Sequence, residues 1–295
     1  MITYRISRRD LEDLIETEKR GWLTRAGDRT EEFRRLGYYK EKSSIWSEVK
    51  PVYMRLQGSC KCAYCERKLE STDYGKGEQD VEHFRPKGGV KAWRMPKALK
   101  ESGITPTKVP KDFKGYYLLP YHPFNYSASC KPCNSALKKD YFPIAGTYDC
   151  EGESPQNLLK EDPFLIYPIG DFDDNPEDLI SFHGTSPQPL AADGHARERA
   201  LVTIEFFKLD DANKRKNLFR ERAIIIVALF TLLEKQSKSP NEEERNRALN
   251  VINGFLGSHA PHTNCARSFK RLYEVDPVEA EAVFESASQL ICSIS

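Results

Sequence analysis

Two pairs of cysteines and one histidine set among carboxylates carry the chemistry this sequence offers. Cys62 and Cys65 stand in C-A-Y-C, and Cys130 and Cys133 in C-K-P-C. Two such knuckles bring four thiolates to tetrahedral Zn²⁺, which accepts soft ligands and does no redox chemistry. Cys60 lies just outside the first pair and could compete as a ligand, although C-x-C is a less usual spacing. Cys150, Cys265 and Cys292 are isolated and read as ordinary buried thiols. Between the knuckles runs E-Q-D-V-E-H-F-R-P-K-G-G, residues 78–89, where His83 follows Glu82 directly, lies three residues after Asp80 and precedes Arg85 and Lys87. An unperturbed histidine titrates near neutral pH and can take a proton from water. A carboxylate beside it can hold a divalent ion, and cations can meet phosphate oxygens. That combination suits hydrolysis of a phosphodiester, against the plainer reading of a solvated loop of mixed charge.

These residues need elements to position them. The knuckles are separated by 64 residues, more than a compact zinc ribbon uses, so the intervening chain must form structure of its own. E-Q-D-V-E-H-F alternates and contains a β-branched Val81, as a short strand would. A basic insertion rich in Pro, Gly and Lys follows, and then the apolar G-Y-Y-L-L-P-Y-H-P-F-N, which could supply a second extended segment. C-K-P-C-N-S-A-L-K-K-D-Y-F reads as a helix starting around Pro132 to Asn134. The expected order is strand, insertion, strand, helix, stapled at its base by zinc.

In that order the sequence resembles an HNH (ββα-metal) endonuclease of the zinc-stapled kind. The residues that carry the resemblance are His83, Asn125 five residues before Cys130, and Asn134 directly after Cys133. The wording E-H-F-R-P-K, C-N-S, Lys138-Lys139 and Phe142-Pro143, with the stretch H-A-R-E-R-A-L-V-T-I-E-F-F-K-L-D-D-A-N-K-R-K-N-L-F-R-E-R-A, resembles PtuB-like nuclease subunits of Septu and retron antiphage systems. Glu82 stands where many HNH enzymes have Asp, and Asn134 where many have His. The resemblance implies that His83 is the general base, that Glu82 and Asn134 hold a catalytic Mg²⁺ or Mn²⁺, and that Asn125 holds the loop orienting His83. It implies products with 5′-phosphate and 3′-hydroxyl ends, and a PtuA-like ATPase partner. Arg85, Lys87, Lys138 and Lys139 are the expected nucleic-acid contacts, with DNA favoured over RNA as the substrate. Asp80 is either a supporting group or a solvated strand residue, and His122 is a spare candidate beside Asn125.

The whole chain fits this frame. With 295 residues, 30% of them charged, it reads as a soluble globular protein. The longest apolar run, residues 223–233, is too short to span a bilayer, and the first residues have no secretory pattern, so a cytoplasmic setting is expected. The net charge of +1 hides an asymmetry. Residues 85–114 carry nine Lys/Arg against Glu101 and Asp112, and residues 151–180 carry nine acids against Lys160 alone. A local basic stretch can bind a polyanion whatever the global charge, and the acidic block could restrain it by mimicking nucleic acid. The expected class is α+β, a zinc-stapled HNH core embedded in a mostly helical protein. The segments are a helical 1–58, the core 59–145, an acidic irregular connector 146–194 and a helical 195–295. N-terminal helices are expected from Ser7 to about Arg20, over 30–40, and around 44–56 with a kink at Pro51; C-terminal ones over roughly 195–208, 211–236, 240–256, 262–274 and 277–291. The competing readings are cleavage of RNA, including tRNA, a zinc module that binds nucleic acid without cutting it, and an interaction subunit whose helical tail carries the function.

Overall fold

In a computed structural model, described here for residues 1–58, 60–71, 73 and 77–293, helices predominate and the strands form two small antiparallel pairs. Helix α1 (Arg8–Glu18) begins at Ser7, whose hydroxyl accepts from the Asp10 amide, a side-chain cap of the kind serine supplies. Helix α2 (Trp22–Leu36) is longer than the expected 30–40 because Gly21 and Gly37, both at positive φ, bracket it. Pro51 does not kink a helix. It sits in the first turn of α3 (Lys50–Leu56), where its missing N–H costs nothing, after a 3₁₀ turn over Trp46–Val49.

Strand β1 (Gln79–His83) pairs with β2 (Tyr126–Cys130), Gln79 opposite Cys130 and His83 opposite Tyr126. The second strand therefore starts after the apolar G-Y-Y-L-L-P-Y-H-P-F-N segment, not within it. Pro120 and Pro123 cannot donate to a ladder, and residues 123–125 form a 3₁₀ turn instead. Within the insertion lies one short helix, α4 (Lys97–Glu101). The helix after β2 is a π-helical turn over Pro132–Lys138, closed by the Lys139 amide donating to the Asn134 carbonyl at 2.8 Å. The strand, insertion, strand, helix order is the one expected.

The connector has more structure than expected: α5 (Pro176–Leu179) and the hairpin β3 (Ile180–His183)–β4 (Ser186–Pro189). Helices α6 (Gly194–Phe206), α7 (Lys216–Lys238), α8 (Glu242–Leu256), α9 (Thr263–Val275) and α10 (Pro277–Ser293) follow the sequence expectation to within about two residues, except that α7 starts at Lys216 and not at 211, because Asp211 accepts from the Lys214 amide in a turn that precedes the helix. The apolar run 223–233 lies inside α7, against which α8, α9 and α10 pack. No helix among the described residues is long and apolar enough to cross a membrane.

One apolar core runs through all four segments. The N-terminal helices lie on the strand pair, with Tyr126 of β2 buried edge-on against Tyr53 and Trp22. The C-terminal helices hold the first knuckle: the His262 amide donates to the Glu66 carbonyl at 3.1 Å, and Tyr64 stacks on Phe207 with centroids 4.0 Å apart. Among the described residues the acidic block meets the basic stretch 85–114 through one ion pair, that of Glu161 with Arg85, and its other ion pairs go elsewhere. Glu153 pairs with Arg34, Glu161 with Arg85, Asp173 and Asp174 with Arg199, and Glu177 with Arg267.

Candidate active site and metal centre

The four knuckle cysteines converge. Cys62 and Cys65 lie on the turn before β1, Cys130 ends β2, and Cys133 enters the π-helical turn. Their sulfurs all lie within 4.8 Å of one another and all four are buried. A tetrahedron with metal–sulfur bonds of about 2.3 Å has edges of about 3.8 Å, and the Cys65–Cys130 sulfur separation is 3.8 Å. The donor set therefore fits Zn²⁺ in type, number and spacing. The Cys130 amide donates to the Cys62 sulfur at 3.5 Å, and Arg215 Nη2, at the start of α7, donates to Cys133 at 3.5 Å. Such donors stabilise thiolate sulfur. Cys60 stays outside the group. Of the isolated thiols Cys265 is buried as expected, whereas Cys150 is half-buried and Cys292 is exposed near the end of α10.

His83 ends β1 and borders a cleft of about 920 Å³ that is also lined by Trp46, Asp80, Glu82, Lys87, Asn134 and Lys139. Its ring meets Trp46 and Tyr126 edge-on, at 4.9 and 5.0 Å between centroids. Nε2 lies 3.1 Å from the Pro120 carbonyl. A carbonyl oxygen only accepts, so Nε2 carries the ring proton. Burial, reinforced by the Lys87 and Lys138 ammonium groups and opposed by the Pro120 carbonyl, keeps the imidazole well below its ordinary pKa. A neutral ring with its proton on Nε2 leaves Nδ1 as the basic nitrogen.

Asn125 is fully buried and spans two backbone segments. Its Oδ1 accepts from the Arg85 amide at 2.8 Å, and Nδ2 donates to the Arg85 and Leu119 carbonyls at 3.0 Å each. It thus ties the chain just after His83 to the segment that holds the Pro120 carbonyl. Glu82 is buried between the Tyr64 hydroxyl, which donates to Oε2, and the Lys138 ammonium, 3.1 Å from Oε1. Asn134 donates Nδ2 to Asp80 Oδ2 at 3.4 Å, and no protein donor meets its Oδ1 among the described residues. Asp80 also pairs with Lys131, so it supports Asn134 and is not a merely solvated strand residue.

Two expected phosphate contacts are placed otherwise. Arg85 faces away from the cleft, 2.8 Å from Glu161, beside a second cavity lined by Asp171, Asp173 and Asp174. Its guanidinium is buried and paired, which removes it from the surface that could meet a polyanion. Lys138 is fully buried, with its Nζ between Glu82 and the His83 carbonyl at 3.3 Å. Lys87 and Lys139 do line the cleft; Lys87 Nζ sits 4.4 Å above the Trp46 ring. His122 accepts from the Phe124 amide through Nδ1 and caps the turn before Asn125, outside the cleft. Sequence reasoning missed Tyr64, the Pro120 carbonyl and Trp46. Tyr64 at least had a signal, as the aromatic residue inside C-A-Y-C.

A buried four-cysteine centre beneath an antiparallel strand pair, with a histidine, a carboxylate and an asparagine on one cleft, defines the class of α+β architecture to which the chain conforms. The chain is similar to the Septu protein PtuB of Bacillus mycoides (strain KBAB4), 33% identical over 199 residues. The match covers 65% of this chain and 60% of the relative, so it spans less than two thirds of that protein's length. The PtuB-like resemblance read from the motifs is thereby supported. No family model matches the chain, and no solved structure matches significantly.

Proposed function

We propose that the chain is a metal-dependent HNH endonuclease, the effector subunit of a Septu-type antiphage system that acts in the cytoplasm under control of a PtuA-like ATPase. The similarity to PtuB supports the defence role. The observation that carries the nuclease reading is the state of His83: a neutral imidazole whose Nε2 proton is held by the Pro120 carbonyl, on a cleft shared with Glu82 and Asn134. Zinc would occupy the four thiolates and hold the first knuckle against β2 and the π-helical turn. Asn134 Oδ1 offers oxygen, the donor type of Mg²⁺ or Mn²⁺, and Glu82 would join it by exchanging the Lys138 ammonium for the ion; a divalent ion held there would supply charge neutralisation at the scissile phosphate.

The chain's own residues then have distinct tasks. His83 Nδ1 takes the proton of the attacking water. Asn125 and the Pro120 carbonyl fix the ring's tautomer and position. Lys87 and Lys139 supply positive charge where the phosphodiester enters. DNA is the favoured substrate.

The test compares wild type with His83→Ala on plasmid DNA and on total RNA, with Mg²⁺, Mn²⁺ or EDTA, alone and with the ATPase. Metal-dependent cleavage of DNA that is lost in the variant is expected, together with one equivalent of tightly bound zinc by elemental analysis. Binding of nucleic acid without cleavage under every condition would overturn the enzyme reading, and cleavage of RNA alone would reassign the substrate.

A further inference from the structure

Two of the four cations expected to meet phosphate are buried, and the exposed charge lies elsewhere. Lys87 leans over Trp46 at the cleft and toward Tyr39, 5.8 Å from that ring. Gly88 packs on Tyr39, and a side chain at Gly88 would begin 3.7 Å from the tyrosine ring. The backbone at Gly115 closes directly on Gly88, so that even a methyl at Gly115 would collide with it. That closure brings Lys114 back toward the α2–α3 loop, where its Nζ lies 3.6 Å from the point at which a side chain at Gly37 would begin. The root of the insertion and the loop carrying Tyr39, Lys40 and Lys42 therefore form one continuous surface next to His83.

Apart from Asp112, which is exposed two residues before Lys114, the acids along this surface are engaged elsewhere. Glu41, between Lys40 and Lys42, turns inward to Arg29 and to the hydroxyls of Tyr121 and Tyr39, and its side chain is only 8% exposed. Asp140 pairs with Lys91, and Glu31 with Arg34. Lys40, Lys42 and Lys114 are exposed and have no carboxylate partner among the described residues. A fold that spends its local acid inward and leaves three lysines in water beside a catalytic cleft presents a field that favours a polyanion.

We infer that Lys40, Lys42 and Lys114 form a strip that continues the cleft beyond Lys87 and Lys139 and binds the phosphodiester backbone flanking the cleavage point. The inference rests on the nuclease reading and names the surface by which that site grips its substrate. Backbone contacts of this kind position a nucleic acid without reading its sequence.

The test uses the full chain in a His83→Ala background, so that the probe survives, with Lys40→Gln/Lys42→Gln/Lys114→Gln added. Fluorescence anisotropy reads binding of a labelled DNA duplex and of a labelled RNA hairpin between roughly 50 and 200 mM salt. Each lost phosphate contact lowers the slope of log K against log salt by about 0.9 for a duplex, so a fall of roughly 2 to 3 is expected. A control, Lys238→Gln/Arg247→Gln/Lys270→Gln, makes the same change in net charge on the C-terminal helices, and its affinity and slope should match the background. An unchanged slope in the strip variant, equal losses in strip and control, or a background that binds neither probe would each overturn the inference. The nuclease reading falls only if the intact protein also fails to cleave, so the two failures are separable.

Discussion

The Glu82–Lys138 pair is the contact whose removal should cost most in the cleft. The two charges are 3.1 Å apart, and neither side chain is more than 1% exposed. At an effective dielectric of about 20, that separation corresponds to an attraction of about 5 kcal/mol, most of it offset by the cost of taking both ions out of water. The pair as a whole therefore adds little net stability, whereas either partner left alone is a buried charge. Lys138→Met should destabilise the protein by about 3–5 kcal/mol, because Glu82 then keeps only the Tyr64 hydroxyl. Glu82→Gln strands the ammonium, although the His83 carbonyl still accepts from it, so its cost should be smaller, about 2–3 kcal/mol. The double variant Glu82→Gln/Lys138→Met should be more stable than Lys138→Met alone. Urea unfolding of the four proteins with zinc present, followed by near-UV circular dichroism, gives the cycle. A Lys138→Met loss below about 1 kcal/mol, or a double variant whose loss equals the sum of the singles, would refute the buried-pair account.

Three further outcomes follow from the same geometry. Asn125→Ala strands the Arg85 amide and carbonyl in the core and leaves the Leu119 carbonyl with the His122 amide as its donor, and should cost about 2–4 kcal/mol in urea unfolding and slow cleavage even where the variant is folded; full cleavage by the folded variant would deny it a positioning role. His83 and His122 are both buried neutral, His83 held well below its ordinary value and His122 pushed down to about 3; their contribution to stability is full above the unfolded pKa of about 6.5 and declines by up to about 1.4 kcal/mol per pH unit for each as pH falls, continuing for His122 to about pH 3. For the same reason the acid limb of the cleavage rate should lie below pH 6.5, and a limb at or above that value would mean His83 is solvated or is not the base.

How much of this was legible in the sequence depends on the range of the interaction. The C-terminal helices were, because their boundaries are written locally in prolines, caps and apolar spacing: Asp276 and Pro277 begin α10 within a residue of the expected position. The thiolate centre was legible too, since two C-x-x-C pairs leave a metal few alternatives. The partner of His83 was not. Nothing in a sequence says that the Pro120 carbonyl will meet a ring 37 residues earlier. Arg85 failed for the same reason: its partner Glu161 lies 76 residues away, and a charge read along the chain carries no sign of whether it will be buried.

The acidic block draws one type of cation, although elsewhere the fold also buries lysines against acids, Lys138 on Glu82 and Lys61 on Glu66. The acidic block's ion pairs go to Arg34, Arg85, Arg199 and Arg267, every one an arginine. A guanidinium is weakly hydrated and matches a carboxylate in two directions, so it tolerates burial, whereas an ammonium on a flexible stem stays in water unless it is paired closely. The insertion's charge is mostly lysine, and Lys100, Lys108, Lys111 and Lys114 remain exposed without a carboxylate partner among the described residues. Among the described residues one ion pair, Glu161 with Arg85, joins the basic and acidic stretches, so their near-cancellation in the sequence is mostly not a contact between them. The acids of that block close on arginines, and Lys100, Lys108, Lys111 and Lys114 keep their charge in solvent.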